Sequence, residues 1–342
     1  MGVMRGNRIP HSRPTLGREE ERAAVRVLRS GHVGGGREVE RFEREMERFL
    51  GGGYATAVQT GSAALHLALL ALGVKEGDRV VIPTYACAAV LNAVRYTGAE
   101  PVLADVSAET GNLDPEEVRR RLRARTRAVI VPHMFGRVAP VEEIRRLGPA
   151  VIEDCAMALG GKVGLRGEIS VFSFYATKMI ATGHGGMVVA RDRRLGARVR
   201  DLVRYDNRDD YRVRYNYRMS GLAAAVGRVQ LGRVPEFVKR RRQIADYYYR
   251  TLGLGAPPRD HVFYRFVLRV GPVGRFVRFM AARGIECKRP VYRPLHRYFP
   301  LPAGEFPGAE ELHRTRASIP IYPSLRAVER DRVVRAVREA LG

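Results

Sequence analysis

Between residues 54 and 190, short runs of apolar, β-branched side chains alternate with stretches of helical period. The runs at 55–58, 80–83, 101–104, 128–132, 151–153, 171–174 and 187–190 read as buried strands. Amphipathic stretches lie between several of them. Leu65, Leu69 and Leu72 share one helical face, and Asp114-Pro115 reads as a cap followed by proline in the first turn of a helix over 116–122. This alternation predicts an α/β domain on a largely parallel sheet. From Pro235 the texture changes to a long basic helix over 235–252 and a Gly/Pro segment over 253–258. A strand over 263–270, a helix over 273–283, Pro-rich loops and a last helix over 327–341 follow. A boundary near 235 therefore predicts a large domain over 1–235 and a smaller α/β domain over 236–342.

Composition narrows the class. A chain of 342 residues, 45% of them hydrophobic, can bury a core without staples. Its three cysteines, Cys87, Cys155 and Cys287, are far apart and show no CxxC spacing, so neither a disulfide framework nor a metal site is expected. The longest apolar stretch, 63–74, is interrupted by His66 and falls short of the ~20 residues of a membrane span. Residues 1–14 carry no apolar leader, and a cytoplasmic location is expected.

Charge raises a second question. Sixty basic residues against 36 acidic ones give +24, and five of the sixty are lysine. Such a field attracts polyanions, including diphosphate ligands. The arginines, however, are scattered through helical patterns such as 118–127 and 191–204 and come with no nucleic-acid-binding motif, so nucleic acid is not the expected partner.

Three segments carry candidate chemistry. The first strand runs into Gln59-Thr60-Gly61-Ser62-Ala63, a turn opening a helix, where free N–H groups and a hydroxyl suit a phosphate. Gly-Ser at such a point also serves as a plain helix cap. Val151-Ile152-Glu153-Asp154 ends an apolar run in two carboxylates, at the strand end where open α/β sheets bind ligands. The third segment, 170–186, places Lys178 in a Ser/Tyr/Thr-rich turn before a glycine-rich one. In a chain that uses arginine at 55 of its 60 basic positions, a lysine is notable because a guanidinium cannot replace a primary amine in Schiff-base formation. Together the three supply what pyridoxal phosphate needs: an amine, a carboxylate for the pyridine nitrogen, and a phosphate cup. Transamination would pass through pyridoxamine phosphate. His133, after a strand, reads either as a substrate contact or as a hydrogen-bonded structural histidine. Cys155, beside Asp154, reads as a small buried filler.

Nearly end to end, the sequence resembles the DegT/DnrJ/EryC1/StrS family of sugar aminotransferases within fold-type I pyridoxal phosphate enzymes. The matching motifs include Arg13-Pro14, Ser30-Gly31, Val39-Glu40-Arg41-Phe42-Glu43, the Thr60–Leu65 turn and Gly77-Asp78-x-Val80-x-Ile82-Pro83-Thr84. They continue through Pro101-Val102-x-x-Asp105-Val106, His133-Met134-Phe135-Gly136 and Glu153-Asp154-x-Ala156. Ser173-Phe174-Tyr175-x-x-Lys178, Gly185-Gly186 and Asn216-Tyr217-Arg218-Met219 complete the set.

The resemblance implies that Lys178 is the Schiff-base lysine and Asp154 the pyridinium partner. It implies that Gly61, Ser62, Ala63 and Ser173 hold the phosphate, with Asn216 reaching the phosphate of a neighbouring subunit in a homodimer. Lysine at 178 speaks against the dehydratase branch, which has histidine there. Three positions depart from the family pattern. Met157 stands where a Gln or His usually faces the phenolic oxygen, and Cys87 stands where an aromatic usually covers the ring, with Tyr85 two residues earlier. His184 replaces the usual acid of a Gly-Glu-Gly-Gly turn. Arg218, Tyr292 and His296 match segments near the substrate cleft. The implied activity is amino transfer from glutamate or glutamine to a keto-sugar carried on a nucleotide. A keto-cyclitol acceptor, or a basic nucleic-acid-binding or regulatory protein on a retired enzyme fold, are the alternatives.

Overall fold

The computed structural model describes residues 8–342; residues 1–7, the start of the segment read for a leader, lie outside the described residues. Two helices, α1 (Arg18–Ser30) and α2 (Arg37–Leu50), precede β1 (Tyr54–Val58), and α3 (Gly61–Ala71) follows it. β2 (Arg79–Pro83), α4 (Ala88–Tyr96), β3 (Glu100–Ala104), α5 (Pro115–Arg121), β4 (Thr126–Pro132) and α6 (Val141–Arg145) continue the alternation. β5 (Ala150–Asp154), β6 (Ile169–Ser173) and β7 (Gly186–Ala190) close it, followed by α7 (Arg193–Leu202) and α8 (Gly221–Gly232). The C-terminal part contains α9 (Val234–Leu252), β8 (Phe266–Arg269), α10 (Val273–Ala282), α11 (Pro307–Thr315), β9 (Arg316–Ile319) and α12 (Ala327–Leu341).

The first seven strands form one sheet in the order β1-β7-β6-β5-β4-β2-β3. β7 is antiparallel to both its neighbours, so the other six strands run in one sense. Their near-continuous apolar sequences follow from burial on both faces: every residue of β7 is buried, and β5 is buried from Val151 to Asp154. The carboxyl ends of the six co-directional strands share one edge, where loops rather than side chains of the core meet solvent. Ligands of open α/β sheets bind at that edge.

A second core packs α10 and α12 against the antiparallel β8–β9 pair. α9 belongs to both cores. Val234 and Phe237 pack with the large sheet, whereas Ile244, Ala245 and Tyr248 pack with the small one. Ile9 reaches the small core as well, bridging to Ile285. One predicted element is shorter than its apolar pattern. The strand predicted over 263–270 begins at Phe266, because Phe263 takes a left-handed φ of 53° that breaks the extended chain. The helix predicted over 116–122 forms as α5, and Arg125 then turns at φ 64° into β4.

Candidate active site

A cavity of about 650 Å³ opens at the carboxyl edge of the sheet. Gly61, Ser62, Cys87, Asp154, Met157, Ser173, Lys178 and His184 line it from the large-sheet side, and Tyr264, Arg265, Tyr292 and Arg293 from the C-terminal part.

The helix end at this edge has donors to spare. Thr60 caps α3, its Oγ1 accepting from Ala63 N–H at 3.0 Å, and its carbonyl accepts from Ala64 N–H at 3.1 Å. Geometry of the first turn leaves the N–H groups of Gly61 and Ser62 without intrahelical acceptors. Residue 61 must be glycine because a Cβ there would lie 2.8 Å from Ser173 Cβ. The same close approach brings the Ser173 hydroxyl from β6 to the start of α3.

Asp154 is the last residue of β5 and is buried, 7% exposed. Among the described residues one hydrogen bond reaches its carboxylate, from Ala156 N–H to Oδ1 at 3.0 Å. Burial pushes this carboxyl above its ordinary range, opposed by the Ala156 N–H and by the charges of Lys178 and His133. A buried carboxylate with so few donors favours a cationic N–H partner in the cavity. Lys178 lies in the turn after β6, where its own N–H bonds the Tyr175 carbonyl at 2.8 Å. Bonds from Phe174 N–H to Gly185 and from Thr182 N–H to Phe174 close that turn.

The cavity therefore brings together Gly61, Ser62, Cys87, Asp154, Met157, Ser173, Lys178 and Tyr292 from the predicted set. Five others lie outside it. Ala63 is spent on the α3 cap, its N–H bonded to Thr60. Tyr85 is wholly buried in the core, edge-on to Phe135. Asn216 is exposed between Tyr215 and Tyr217 and does not line the cavity of its own chain. Arg218 turns to Tyr205 and Asp206, both at 2.9 Å, over a separate surface hollow. His296 is buried at 1% exposure, held by Thr84 Oγ1 and Glu310 at 2.8 Å each and stacked on Phe306.

His133 and Cys155 are structural. Nδ1 of His133 accepts from Ala139 N–H at 2.9 Å, so the proton sits on Nε2 and is donated to Glu153 at 2.9 Å. The four acceptor positions of Glu153 also take Gly164 N–H, Arg166 N–H and the Ser170 hydroxyl. Burial pushes the Cys155 thiol far up, which keeps it protonated.

Sequence reasoning missed Tyr264, Arg265, Thr177 and Arg293. Tyr264 and Arg265 were absorbed into a predicted strand. A signal was present in α9, where Arg241 interrupts the apolar face made by Phe237, Ile244, Ala245 and Tyr248.

The chain matches the DegT/DnrJ/EryC1/StrS aminotransferase family over residues 14–338. It belongs to that family. It is 34% identical to the GDP-perosamine synthase of Escherichia coli O157:H7 over 93% of this chain and 94% of that protein. Among solved structures, the aminotransferase TlmJ of Streptoalloteichus hindustanus superposes with a TM-score of 0.91 at 31% identity, covering 97% of this chain and 98% of that one. Spr1654 of Streptococcus pneumoniae, in its PMP form, reaches 0.91 at 21% identity over 97% of each chain, a likeness of fold. The protein is thus a pyridoxal phosphate-dependent aminotransferase with the α/β architecture of such enzymes. Among the described residues, no helix is long and apolar enough to cross a membrane.

Proposed function

We propose that the protein moves an amino group from glutamate or glutamine to a keto-sugar carried on a nucleoside diphosphate, by ping-pong transamination through Lys178. The observation that carries this reading is the convergence of Lys178, Asp154 and the free N–H groups of Gly61 and Ser62 on one cavity. These groups fit pyridoxal phosphate, which supplies an electron sink and a carrier for nitrogen. Gly61 and Ser62 N–H, with the Ser62 and Ser173 hydroxyls, would hold the phosphate. Asp154 would keep a proton on the pyridine nitrogen. Lys178 would anchor the cofactor carbonyl, and its amine would hold and return the proton of the reacting carbon. Met157 lines the cavity without a donor for the phenolic oxygen, so that oxygen depends on other groups of the site.

A nucleotide-linked acceptor is supported by the guanidinium groups of Arg265 and Arg293 at the cavity and by the relative that makes GDP-perosamine. A keto-cyclitol is the competing acceptor, and it would make no use of a diphosphate site. As the resemblance implies, two chains share each site, Asn216 reaching the cofactor phosphate of the second subunit. The test is spectroscopic. Glutamate or glutamine should bleach the visible absorbance of the loaded protein, and a nucleotide-linked keto-sugar should restore it. Bleaching without recovery by any nucleotide sugar, but with recovery by a keto-cyclitol, overturns the acceptor assignment.

A further inference from the structure

Tyr264 sits where three cations meet. Its ring centroid lies 5.4 Å from Lys178 Nζ and 5.2 Å from the guanidinium carbon of Arg265. Its carbonyl accepts from Arg241 Nη1 at 3.2 Å. Arg241 is 3% exposed and has no carboxylate partner among the described residues. The same Nη1 also donates to the carbonyls of Phe263 and Ile321, while Nε finds no partner among the described residues. A guanidinium withdrawn from water without an anion is costly. Burial pulls the Arg241 guanidinium down to about 10; the Tyr264 phenol opposes that pull and Arg265 adds to it.

Among the described residues, the other charged groups near the cluster are already engaged elsewhere. His11 bonds Ser318 Oγ at 2.8 Å and Arg265 Nη1 at 3.2 Å, and burial together with Arg265, Lys288 and Arg241 lowers it to about 3. Glu286 is taken by Lys288 at 3.0 Å and by His11 N–H at 3.2 Å. Asp154, at the cavity, is raised by burial, and the charge of Lys178 is among the influences that oppose the rise. The small hollow bounded by His11, Ser12, Thr177, Arg241, Tyr264, Arg265 and Ser318 contains no carboxylate.

We propose that Tyr264 is the counter-ion of this cluster and a positioning residue for Lys178: its phenol ionises to balance Arg241, Arg265 and Lys178, and its charge favours the protonated lysine nitrogen. When the phenolate takes up a proton, an O–H bond forms and that support for the lysine charge is lost. Burial alone would raise the phenol, but Lys178 and Arg265, a Thr177 hydrogen bond and Arg241 outweigh it and bring it to about 8. The effect on the cofactor rests on Lys178 carrying pyridoxal phosphate; the phenol's own titration does not.

Two titrations test this. In cofactor-free protein, the tyrosinate absorbance of wild type minus Tyr264→Phe should show one tyrosine with a midpoint about 8. Arg265→Gln should move that midpoint up by about one pH unit, as expected for loss of one nearby cation. In loaded protein, Tyr264→Phe should shift the pH midpoint of the visible cofactor band down by about one unit, because the anion favouring the protonated nitrogen is gone. A Tyr264 midpoint at or above 10, or a halide-dependent charge balance with the phenol still protonated, overturns the proposal. So does a visible band whose midpoint is the same in both proteins. If Tyr264→Phe does not fold, the Arg265→Gln titration decides: no upward shift of any tyrosine overturns it. Absence of any visible band in wild type would instead defeat the assignment of Lys178 and leave the phenol titration standing.

Discussion

At the scale of single residues, the roles proposed for Lys178 and Asp154 can be told apart. Lys178→Ala retains the phosphate donors of α3 and should still bind pyridoxal phosphate, but without a covalent link and without turnover. Lys178→Arg should fail equally, since it keeps charge and loses the nucleophilic amine. Full turnover by Lys178→Ala, measured as glutamate-dependent product, would remove the residue from the mechanism. Asp154→Asn should keep the covalent link and lose turnover by orders of magnitude, because the pyridine nitrogen loses the group that keeps it protonated. Rapid-mixing spectra of the donor half-reaction check this. Normal turnover in Asp154→Asn would move the pyridine partner elsewhere. Glu153 is a poor substitute: its oxygens are already committed to His133, Gly164, Arg166 and Ser170.

At the scale of elements, the proposed phosphate cup lies where α3 meets β6. Gly61→Ala places a methyl 2.8 Å from Ser173 Cβ and must push the two elements apart. It should weaken pyridoxal phosphate binding, read by equilibrium dialysis, more than Thr60→Ala, which removes one cap worth about 1 kcal/mol. The β4–β5 pair carries a pH prediction. Burial alone would raise the Glu153 carboxyl, but His133 and the N–H groups of Gly164 and Arg166 outweigh it and hold it at about 2, below the ordinary 4.5. Because the folded value is depressed, its contribution to stability is present above pH 4.5 and is lost as pH falls toward 2. Thermal melts should show the gap between wild type and Glu153→Gln narrowing over that window, and a constant gap would refute the assignment.

These elements also show what was legible. The seven sheet strands stand out because strands buried on both faces must be apolar throughout, and Asp154 stands out because a carboxylate ends such a run. His296 and Tyr85 misled because a motif names a residue type and not the direction of its side chain: one is locked between Thr84 and Glu310, the other packs into the core. Tyr264 was hidden by Phe263, whose left-handed backbone stops a strand that the apolar pattern continues.

At the scale of the whole molecule, the arginine excess is partly spent locally. Arg41 pairs with Glu38, Arg119 with Glu116 and Arg120 with Glu117, each within one turn of its own helix. Such exposed pairs add little stability and leave a net positive field available to a diphosphate. The segment between α7 and α8 is a different matter. Tyr211 is 95% exposed and Val213 64% exposed, while Arg214 and Arg218 anchor the segment through Asp201, Asp210 and Asp206. Apolar side chains presented on a braced loop next to Asn216 match a site shared between subunits. We expect the protein to sediment as a dimer at micromolar concentration. The double substitution Tyr211→Glu, Val213→Glu should favour the monomer through like-charge repulsion and loss of apolar burial, and turnover should fall with it because Asn216 no longer reaches a second cavity. Sedimentation velocity and activity measured over the same dilution series check the link. If the variant stays dimeric, the loop is not at the interface; if a loaded monomer turns over fully, each chain completes its own site and Asn216 has no role across subunits.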